Sequence, residues 1–207
     1  MTNSTKQIAA IGFAGLLAAM APAFALGTAA GGHTDKKTTE KTPSSHSTTK
    51  ALDHSDKKFL TEAAEGGMME VELGKLAADK GTDPDVKAFG QKMVDDHTKA
   101  NDKLKALAAS KGLTLPTDMG TMEKHDMNKL QKASGADFDR LYMSEMVKDH
   151  KKDVSDFDHA SKSAKDSDVK AFASDTLPTL QDHLKMAQTT AGKVGASTKH
   201  ASAKKKS

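Results

Sequence analysis

The stretch that decides the fold is residues 83–107, which read DPDVKAFGQKMVDDHTKANDKLKAL. Asp83 is suited to cap a helix, Pro84 to occupy the first helical position, and Asp85 to lie near the positive end of the helix dipole. One side chain in every three or four then falls on a single stripe, which consists of Val86, Phe89, Met93, His97, Ala100, Leu104 and Leu107. This period predicts an amphipathic helix that ends near Gly112 and turns one face to a core.

The same pattern predicts three further long helices and one short helix. They are expected over residues 56–80, 121–133, 137–163 and from about 168 onward. Ser55 or Asp56 is the expected cap of the first helix, and Gly81 is its expected end. Pro178 is expected to kink or interrupt the last helix. Every phenylalanine after residue 25 falls on one of the predicted apolar stripes of the long helices; these are Phe59, Phe89, Phe138, Phe157 and Phe172.

The spacing of these helices predicts the architecture. Four long helices with a long link between the second and third fit an all-α, four-helix bundle of the ferritin-like type, with a short extra helix in the crossover. A faint internal repeat indicates two related hairpins. The letters DVKAF occur at 85–89 and at 168–172, and each copy is followed by an Asp-His pair, at 96–97 and at 182–183.

Composition and charge exclude several classes of protein. The 207 residues include no tryptophan and no cysteine. Because cysteine is absent, zinc–thiolate sites, iron–sulfur clusters and cysteine nucleophiles are excluded. Residues 56–190 hold 25 acidic against 21 basic residues, whereas residues 191–207 add five lysines and no acid. An acidic body lacks the clustered cations that bind phosphate backbones, so we expect no nucleic-acid partner.

The N-terminus resembles an export signal. Lys6 precedes a short apolar run over residues 8–20, and Ala23-Phe24-Ala25 forms an A-x-A cleavage site. The run is shorter than the roughly 20 residues of a comfortable transmembrane helix, although an uncleaved N-terminal anchor is the alternative. We therefore divide the chain into a signal peptide (1–25), a disordered linker (26–55), the bundle (56–190) and a basic disordered tail (191–207), and we expect a periplasmic or otherwise exported protein.

Several segments resemble a known bacterial family. They are FLTEAAEGGMMEVELGKLA at 59–77, DPDVKAF at 83–89, MVDDH at 93–97, FDRLY at 138–142, DH at 149–150 and LPTLQDH at 177–183. In this order they resemble the family catalogued as domain of unknown function 4142 (DUF4142), over roughly residues 56–190. The resemblance implies a ferritin-like helical bundle and an exported, usually periplasmic, setting. It implies no established reaction.

One polar residue on each long helix lies on or beside the predicted inner stripe. These residues are Glu70, His97, His150 and His183. At a rise of about 1.5 Å per residue, all four fall near the middle of the bundle. One carboxylate and three imidazoles at this height predict a site for Zn²⁺, Cu²⁺ or a similar divalent transition metal. The alternative is a set of buried polar residues that hydrogen-bond to one another.

Other metal chemistry has weaker support. A carboxylate-bridged di-iron centre uses Glu-x-x-His motifs, but the residues three before His97, His150 and His183 are Val94, Val147 and Leu180.

A soft Cu(I) site in the link between the second and third long helices would use Met119, Met122, His125 and Met127. Methionine also fills irregular gaps in cores, so docking of the short helix is the alternative.

The functional prediction remains divided. Neither a G-x-S-x-G elbow nor a P-loop occurs, so we lean against an enzyme. The first hypothesis is an exported binding or stress-related envelope protein, and the second is a metal-binding or metal-dependent redox protein that uses the Glu/His residues. The Lys-rich tail is either a contact for an anionic surface or a solubilising end. Ligand, protein partner and oligomeric state stay open.

Overall fold

The computed structural model describes residues 51–196, which form five α-helices and no β-strand. The helices are α1 (His54–Lys80), α2 (Pro84–Ser110), α3 (Thr121–Lys132), α4 (Gly135–Ser163) and α5 (Ser167–Val194). The all-α prediction is therefore confirmed. The predicted signal peptide, most of the predicted linker and most of the predicted tail lie outside the described residues.

The four long helices pack as two hairpins that face each other. α1 packs along α2, and α4 packs along α5. The hairpins meet through contacts of α2 with α5 and of α1 with α4, while α3 touches both α1 and α4. No helix within residues 51–196 has both the length and the apolar character needed to cross a bilayer.

The interior consists of two apolar clusters that follow one another along the helices. The first core cluster lies towards the α1–α2 turn and includes Leu73, Val86, Phe89, Met93, Phe138, Met146, Val147 and Ala187. The second core cluster lies towards the α4–α5 turn and includes Leu60, Ala64, Leu104, Phe157, Val169, Phe172 and Leu180. The predicted apolar stripes therefore supply both clusters.

α2 approaches α1 closely at two glycines. A Cβ on Gly74 would lie 2.7 Å from the carbonyl oxygen of Gly90, and a Cβ on Gly90 would lie 2.7 Å from the carbonyl oxygen of Gly74. Because any larger side chain would meet backbone atoms, the two glycines allow α1 and α2 to pack at short range.

The start of α1 differs from the prediction. Asp53 is the cap, and its carboxylate accepts a hydrogen bond of 2.9 Å from the backbone N–H of Ser55. Asp56 is buried, and it accepts hydrogen bonds from the backbone N–H groups of Lys165 (3.0 Å) and Asp166 (2.8 Å). The sequence prediction was wrong here because the partners of Asp56 belong to the distant α4–α5 turn.

Asp139 makes the same contact in the other hairpin. It accepts hydrogen bonds from the backbone N–H groups of Thr82 (3.0 Å) and Asp83 (2.9 Å) at the α1–α2 turn. The register that aligns the two DVKAF segments also aligns Asp56 with Asp139. The turns match as well, because Gly81 (φ −54°, ψ 142°) and Ala164 (φ −54°, ψ 141°) have the same backbone conformation. The internal repeat is thus present in the structure.

The last helix is not interrupted at Pro178, which was one of the two outcomes predicted there. α5 runs without interruption through Pro178, whose side chain is exposed, and ends at Val194. Leu177 and Leu180 on either side of the proline pack in the second core cluster, which stabilises the helix on both sides of the missing N–H.

Candidate metal centre

The four residues predicted from the sequence lie together in the interior. Glu70 (α1), His97 (α2), His150 (α4) and His183 (α5) are only 2%, 5%, 0% and 0% exposed. Glu70 contacts two of the histidines, and the three imidazole rings have centroids 5.3–5.7 Å apart. Each long helix therefore delivers one polar side chain to a common point.

These residues form a polar layer between the two core clusters. On α2, His97 lies between Met93 of the first core cluster and Leu104 of the second. The other three helices show the same order, with a residue of the first cluster on one side and a residue of the second on the other. These pairs are Leu73 and Ala64 on α1, Val147 and Phe157 on α4, and Ala187 and Leu180 on α5. The spacing of three or four residues between inward-facing positions continues through the polar layer of each helix. The same spacing that buries the apolar residues therefore also buries the polar ones.

Each histidine uses one ring nitrogen in a hydrogen bond that fixes the ring. Nδ1 of His97 lies 2.8 Å from Oε2 of Glu70, and Nδ1 of His150 lies 3.0 Å from the carbonyl oxygen of Met146. Nε2 of His183 lies 3.0 Å from Oδ2 of Asp96. The carbonyl of Met146 and the ionised carboxylate of Asp96 can only accept, so Nδ1 of His150 and Nε2 of His183 carry the proton of the neutral imidazole. Nδ1 of His97 donates in the same way when Glu70 is ionised.

The opposite nitrogens are buried without partners. Nε2 of His97, Nε2 of His150 and Nδ1 of His183 have no hydrogen-bond partner among the described residues. One ring nitrogen of each histidine lies within 4.8 Å of one ring nitrogen of each of the others. The site therefore presents three converging imidazoles whose outer nitrogens are held by two carboxylates and a backbone carbonyl, the arrangement typical of metal-binding histidines.

Burial keeps the three imidazoles neutral. Desolvation lowers the pKa of His97, His150 and His183 to about 4 each, although neighbouring carboxylates partly oppose the shift. Burial also disfavours the ionised form of Asp96, but hydrogen bonds from Lys92 and His183 hold the pKa of Asp96 at about 2. The lone pairs that a metal needs are thus free of protons at neutral pH.

The carboxyl groups beside the histidines have raised pKa values, whereas those of the imidazoles are lowered. Burial raises the pKa of Glu70, and the nearby His150 lowers it in part. Burial, together with the charge of Glu70, raises the pKa of Asp153, which is close enough to hydrogen-bond to Glu70. Burial also raises the pKa of Asp149 to about 8, and its Oδ2 has no partner among the described residues. A cation would relieve all three groups, because it favours their ionised forms.

Two cavities adjoin the site. The inner cavity has a volume of about 40 Å³, and Glu70, His97, Asn101 and Asp153 are among the residues that line it. The acidic cleft is an open cavity of about 460 Å³ between α1, α3 and α4, and Glu70, Asp149 and Asp153 are among its lining residues. Glu70 and Asp153 therefore line both cavities.

A transition-metal ion would draw the three rings closer together. In a tetrahedral zinc site with Zn–N bonds of about 2.1 Å, two nitrogens lie about 3.4 Å apart. Ring nitrogens that lie within 4.8 Å of one another therefore have to approach by up to about 1.4 Å to share one ion. Oε1 of Glu70 has no hydrogen-bond partner among the described residues and lies 3.4 Å from Nε2 of His150. It is the nearest candidate for a fourth ligand.

Sequence reasoning missed Asp153. Nothing in its local pattern separates it from an exposed aspartate, but the register of the internal repeat aligns it with Glu70. That alignment is the signal that could have found it. Of the aspartates that precede the histidines, Asp96 contacts a histidine of a neighbouring helix and Asp182 is exposed.

The methionine-rich link does not form a second cluster. Met127 and Met119 pack against the first core cluster, whereas Met122 is 77% exposed and His125 faces solvent. These side chains therefore point in different directions, and the docking interpretation describes them better than a Cu(I) site.

Comparisons with solved structures identify similar folds. A crystal structure described as a DUF305 fragment from Deinococcus radiodurans superposes with a TM-score of 0.62 and 9% identity, over 69% of this chain and 99% of that chain. A structure described as CopM in the Cu(II)-bound form superposes with a TM-score of 0.55 and 14% identity, over 67% of this chain and 96% of that chain. At these identities the likeness concerns the fold alone.

Sequence comparison assigns the family. No curated protein gives a significant match to the chain. The family model described as domain of unknown function DUF4142 matches residues 41–190, which include every helix up to the last turn of α5 and all four residues of the polar layer. The resemblance found in the sequence is thereby confirmed, and the chain belongs to the DUF4142 family.

Proposed function

We propose that this protein binds a divalent transition-metal ion, Cu²⁺ or Zn²⁺, through His97, His150 and His183, with Glu70 as the fourth ligand or as the group that orients His97. The observation that carries the proposal is a group of three buried histidines, each of which places a ring nitrogen within 4.8 Å of the others and keeps one ring nitrogen without a hydrogen-bond partner among the described residues.

A purely structural network explains these nitrogens less well. A buried polar atom without a partner costs about 1–3 kcal/mol, so interiors that use histidine for packing satisfy both ring nitrogens. Here each ring is satisfied only on its outer side. One cation at the centre would satisfy all three inner nitrogens at once.

The donor set favours copper or zinc. Neutral imidazoles suit Cu²⁺ and Zn²⁺, and the absence of a Glu-x-x-His motif argues against a carboxylate-bridged di-iron centre. The similar fold described as CopM in the Cu(II)-bound form makes Cu²⁺ the first ion to test.

The proposal also includes export of the protein and a more specific description of its fold. The apolar run at residues 8–20 and the A-x-A site at Ala23-Phe24-Ala25 support an exported protein that is cleaved near Ala25. Two facing hairpins joined through α3 support a ferritin-like four-helix bundle with an extra helix in the crossover. The role we assign is metal binding, and we assign no reaction.

Elemental analysis tests the proposal. The protein is incubated with Cu²⁺ or Zn²⁺, desalted and measured beside the variant H97Q/H150Q, with H125Q/H159Q as the matched control because both of its histidines are exposed. We expect about one equivalent of metal in the wild type and the control, and a large loss in H97Q/H150Q.

Circular dichroism verifies that each variant is folded. A wild type that retains neither metal, or an H97Q/H150Q variant that is folded and still fully loaded, would overturn the proposal. In the first case the histidines would be a structural network, and H97Q/H150Q would change only stability.

A further inference from the structure

The site raises the question of how an ion reaches it, because its three imidazoles are at most 5% exposed. We propose that the acidic cleft between α1, α3 and α4 is the entrance through which the cation passes to the histidines, by way of Glu70. This inference rests on the proposed metal binding and adds the route and the residues that control it.

The charge of the cleft suits a cation. Its acidic lining residues are Glu62, Glu65, Glu70, Glu123, Asp126, Asp149 and Asp153, against two lysines, Lys148 and Lys152. Both lysines are bound by acids: Lys148 lies 3.0 Å from Glu145 and Lys152 lies 2.6 Å from Asp156. Burial raises the pKa of Glu70, Asp149 and Asp153, and Glu62 is paired with Lys58 at 2.8 Å. The negative excess of the cleft therefore comes from Glu65, Glu123 and Asp126, and low-dielectric walls focus its field on an approaching ion.

Two of these carboxyl groups lie near each other in the cleft lining. The position of a Cβ on Gly120 would be 3.6 Å from the carboxyl carbon of Glu65, and it would also contact the carboxylate of Glu123. Glu65 belongs to α1 and Glu123 to the first turn of α3. The docking of α3 on α1 therefore brings their charges together.

Glu70 connects the cleft with the histidines. It lines the cleft although its side chain is only 3% exposed, and its Oε1 has no hydrogen-bond partner among the described residues. Its other oxygen lies 2.8 Å from His97. An ion held by the carboxylate of Glu70 in the cleft would therefore be one side chain away from the imidazoles.

Asp153 lies beside Glu70 in this region, since it is close enough to hydrogen-bond to Glu70. It lines both the acidic cleft and the inner cavity, as Glu70 does. The open cleft and the cavity beside His97 therefore adjoin at these two carboxyl groups. A cation exchanges favourably between carboxylate and imidazole ligands, whereas an anion would be repelled at this point.

Intrinsic tyrosine fluorescence can report Cu²⁺ binding in this protein. Tyr142 is the single tyrosine of a chain without tryptophan, and its ring lies 6.1 Å from Phe89, which lies 6.2 Å from His150. Bound Cu²⁺ quenches a fluorophore at such short range. Stopped-flow mixing of the full-length protein with Cu²⁺ therefore gives the association rate from tyrosine fluorescence.

The test variant is E65Q/E123Q/D126N, which removes three charges from the cleft and changes no residue of the polar layer. The matched control is E72Q/D102N/D118N, which removes three charges from a groove that no histidine of the site lines. We expect the association rate to fall about five- to tenfold in the test variant and to stay within about twofold of the wild type in the control. Added salt at about 0.5 M should remove most of the difference, because it screens the field.

The outcomes separate the two proposals. Equal association rates in the test variant and the control, with one equivalent of Cu²⁺ still bound by each, would overturn the entrance and leave the metal site intact. Loss of bound Cu²⁺ from the folded test variant would also overturn it, since the cleft residues would then hold the ion themselves. A wild type that binds no metal would overturn the proposed function and this inference with it.

Discussion

The carboxylate of Glu70 on α1 lies 2.8 Å from Nδ1 of His97 on α2, so one helix fixes the ring orientation of a histidine on its neighbour. The second oxygen of Glu70 lies 3.4 Å from Nε2 of His150 on α4. A single carboxylate thus contacts two of the three imidazoles, and the polar layer depends on it more than on any other acid.

The first prediction concerns this carboxylate. Glu70→Gln keeps the size of the side chain but removes its charge, so we expect the affinity for Cu²⁺ to fall about 10- to 100-fold, as is usual when a group that orients a ligand is lost. Competition titration against a chelator of known affinity measures the change. Glu72→Gln, an exposed site two residues further on, is the control, and an equal effect of both changes would contradict the role of Glu70.

The second prediction concerns pH. Three free imidazoles with a pKa of about 6.5 would lose up to about a thousandfold in metal affinity between pH 7 and pH 5.5, since each would become protonated. Burial lowers the pKa of His97, His150 and His183 to about 4. We therefore expect the imidazoles to contribute less than about tenfold to the loss of Cu²⁺ affinity over this range, and any larger loss to come from carboxyl groups such as that of Asp149, which release protons when a cation binds. Titration of the three imidazoles in the metal-free protein by nuclear magnetic resonance checks this, and half-protonation of the rings near pH 6.5 would contradict it.

The third prediction concerns the stability of the metal-free protein. Burial raises the pKa of Asp149 from 3.8 to about 8, so the folded state holds a proton that the unfolded state releases between these values. Stability at this site therefore decreases as the pH rises from about 4 to about 8. Asp149→Asn cannot ionise, and we expect it to match the wild type at pH 4 and to exceed it progressively towards pH 8.

Chemical denaturation at several pH values measures this difference. Asp182→Asn is the control, because Asp182 also precedes a histidine but is exposed. A difference between Asp149→Asn and the wild type that does not vary with pH would contradict the prediction.

The fourth prediction uses two glycines of the first hairpin. A Cβ at position 90 would lie 2.7 Å from a backbone oxygen of α1, so we expect Gly90→Ala to destabilise the fold by about 1–3 kcal/mol. A Cβ at Gly66 would meet nothing within 4 Å, so Gly66→Ala should stabilise α1 by about 0.5–1 kcal/mol. Thermal unfolding measures both, and equal shifts in one direction would refute the close approach of α1 and α2.

The fifth prediction concerns the α1–α2 turn. Asp139→Ala leaves the backbone N–H groups of Thr82 and Asp83 without their acceptor, and we expect a loss of about 2–3 kcal/mol because the acceptor is charged and buried. Asp137→Ala is the control, since Asp137 lies in the same helical turn with a side chain that is 82% exposed. Urea unfolding that gives the same midpoint for both variants would contradict the capping role.

Much of the architecture could be predicted from local patterns. The three-four spacing around Phe89, Met93 and His97 is a direct consequence of helix geometry, and the cap at Asp83 and the proline at 84 are found as expected. The four residues of the polar layer could be identified because they interrupt apolar stripes at similar heights. That they share one point depends on how each helix is rotated about its axis, which only the packing decides.

Distant contacts explain what the sequence could not show. Asp56 and Asp153 carry no local sign of burial, because aspartate is usually exposed and their partners lie on other helices. The cap of α1 was misassigned for this reason, since the carboxylate of Asp56 is already engaged by Lys165 and Asp166. Only the internal repeat, which pairs Asp56 with Asp139 and Glu70 with Asp153, links these residues in the sequence.

Asp56 and Asp139 each accept hydrogen bonds from the turn of the other hairpin, and this arrangement affects folding during synthesis. The α1–α2 hairpin leaves the ribosome with the amide groups of its connecting turn still hydrated, because their acceptor is synthesised more than fifty residues later. The second hairpin, in contrast, finds its own acceptor already translated. Native structure at the first turn must therefore wait for α4, and a nascent chain halted before residue 139 would remain sensitive to proteases there.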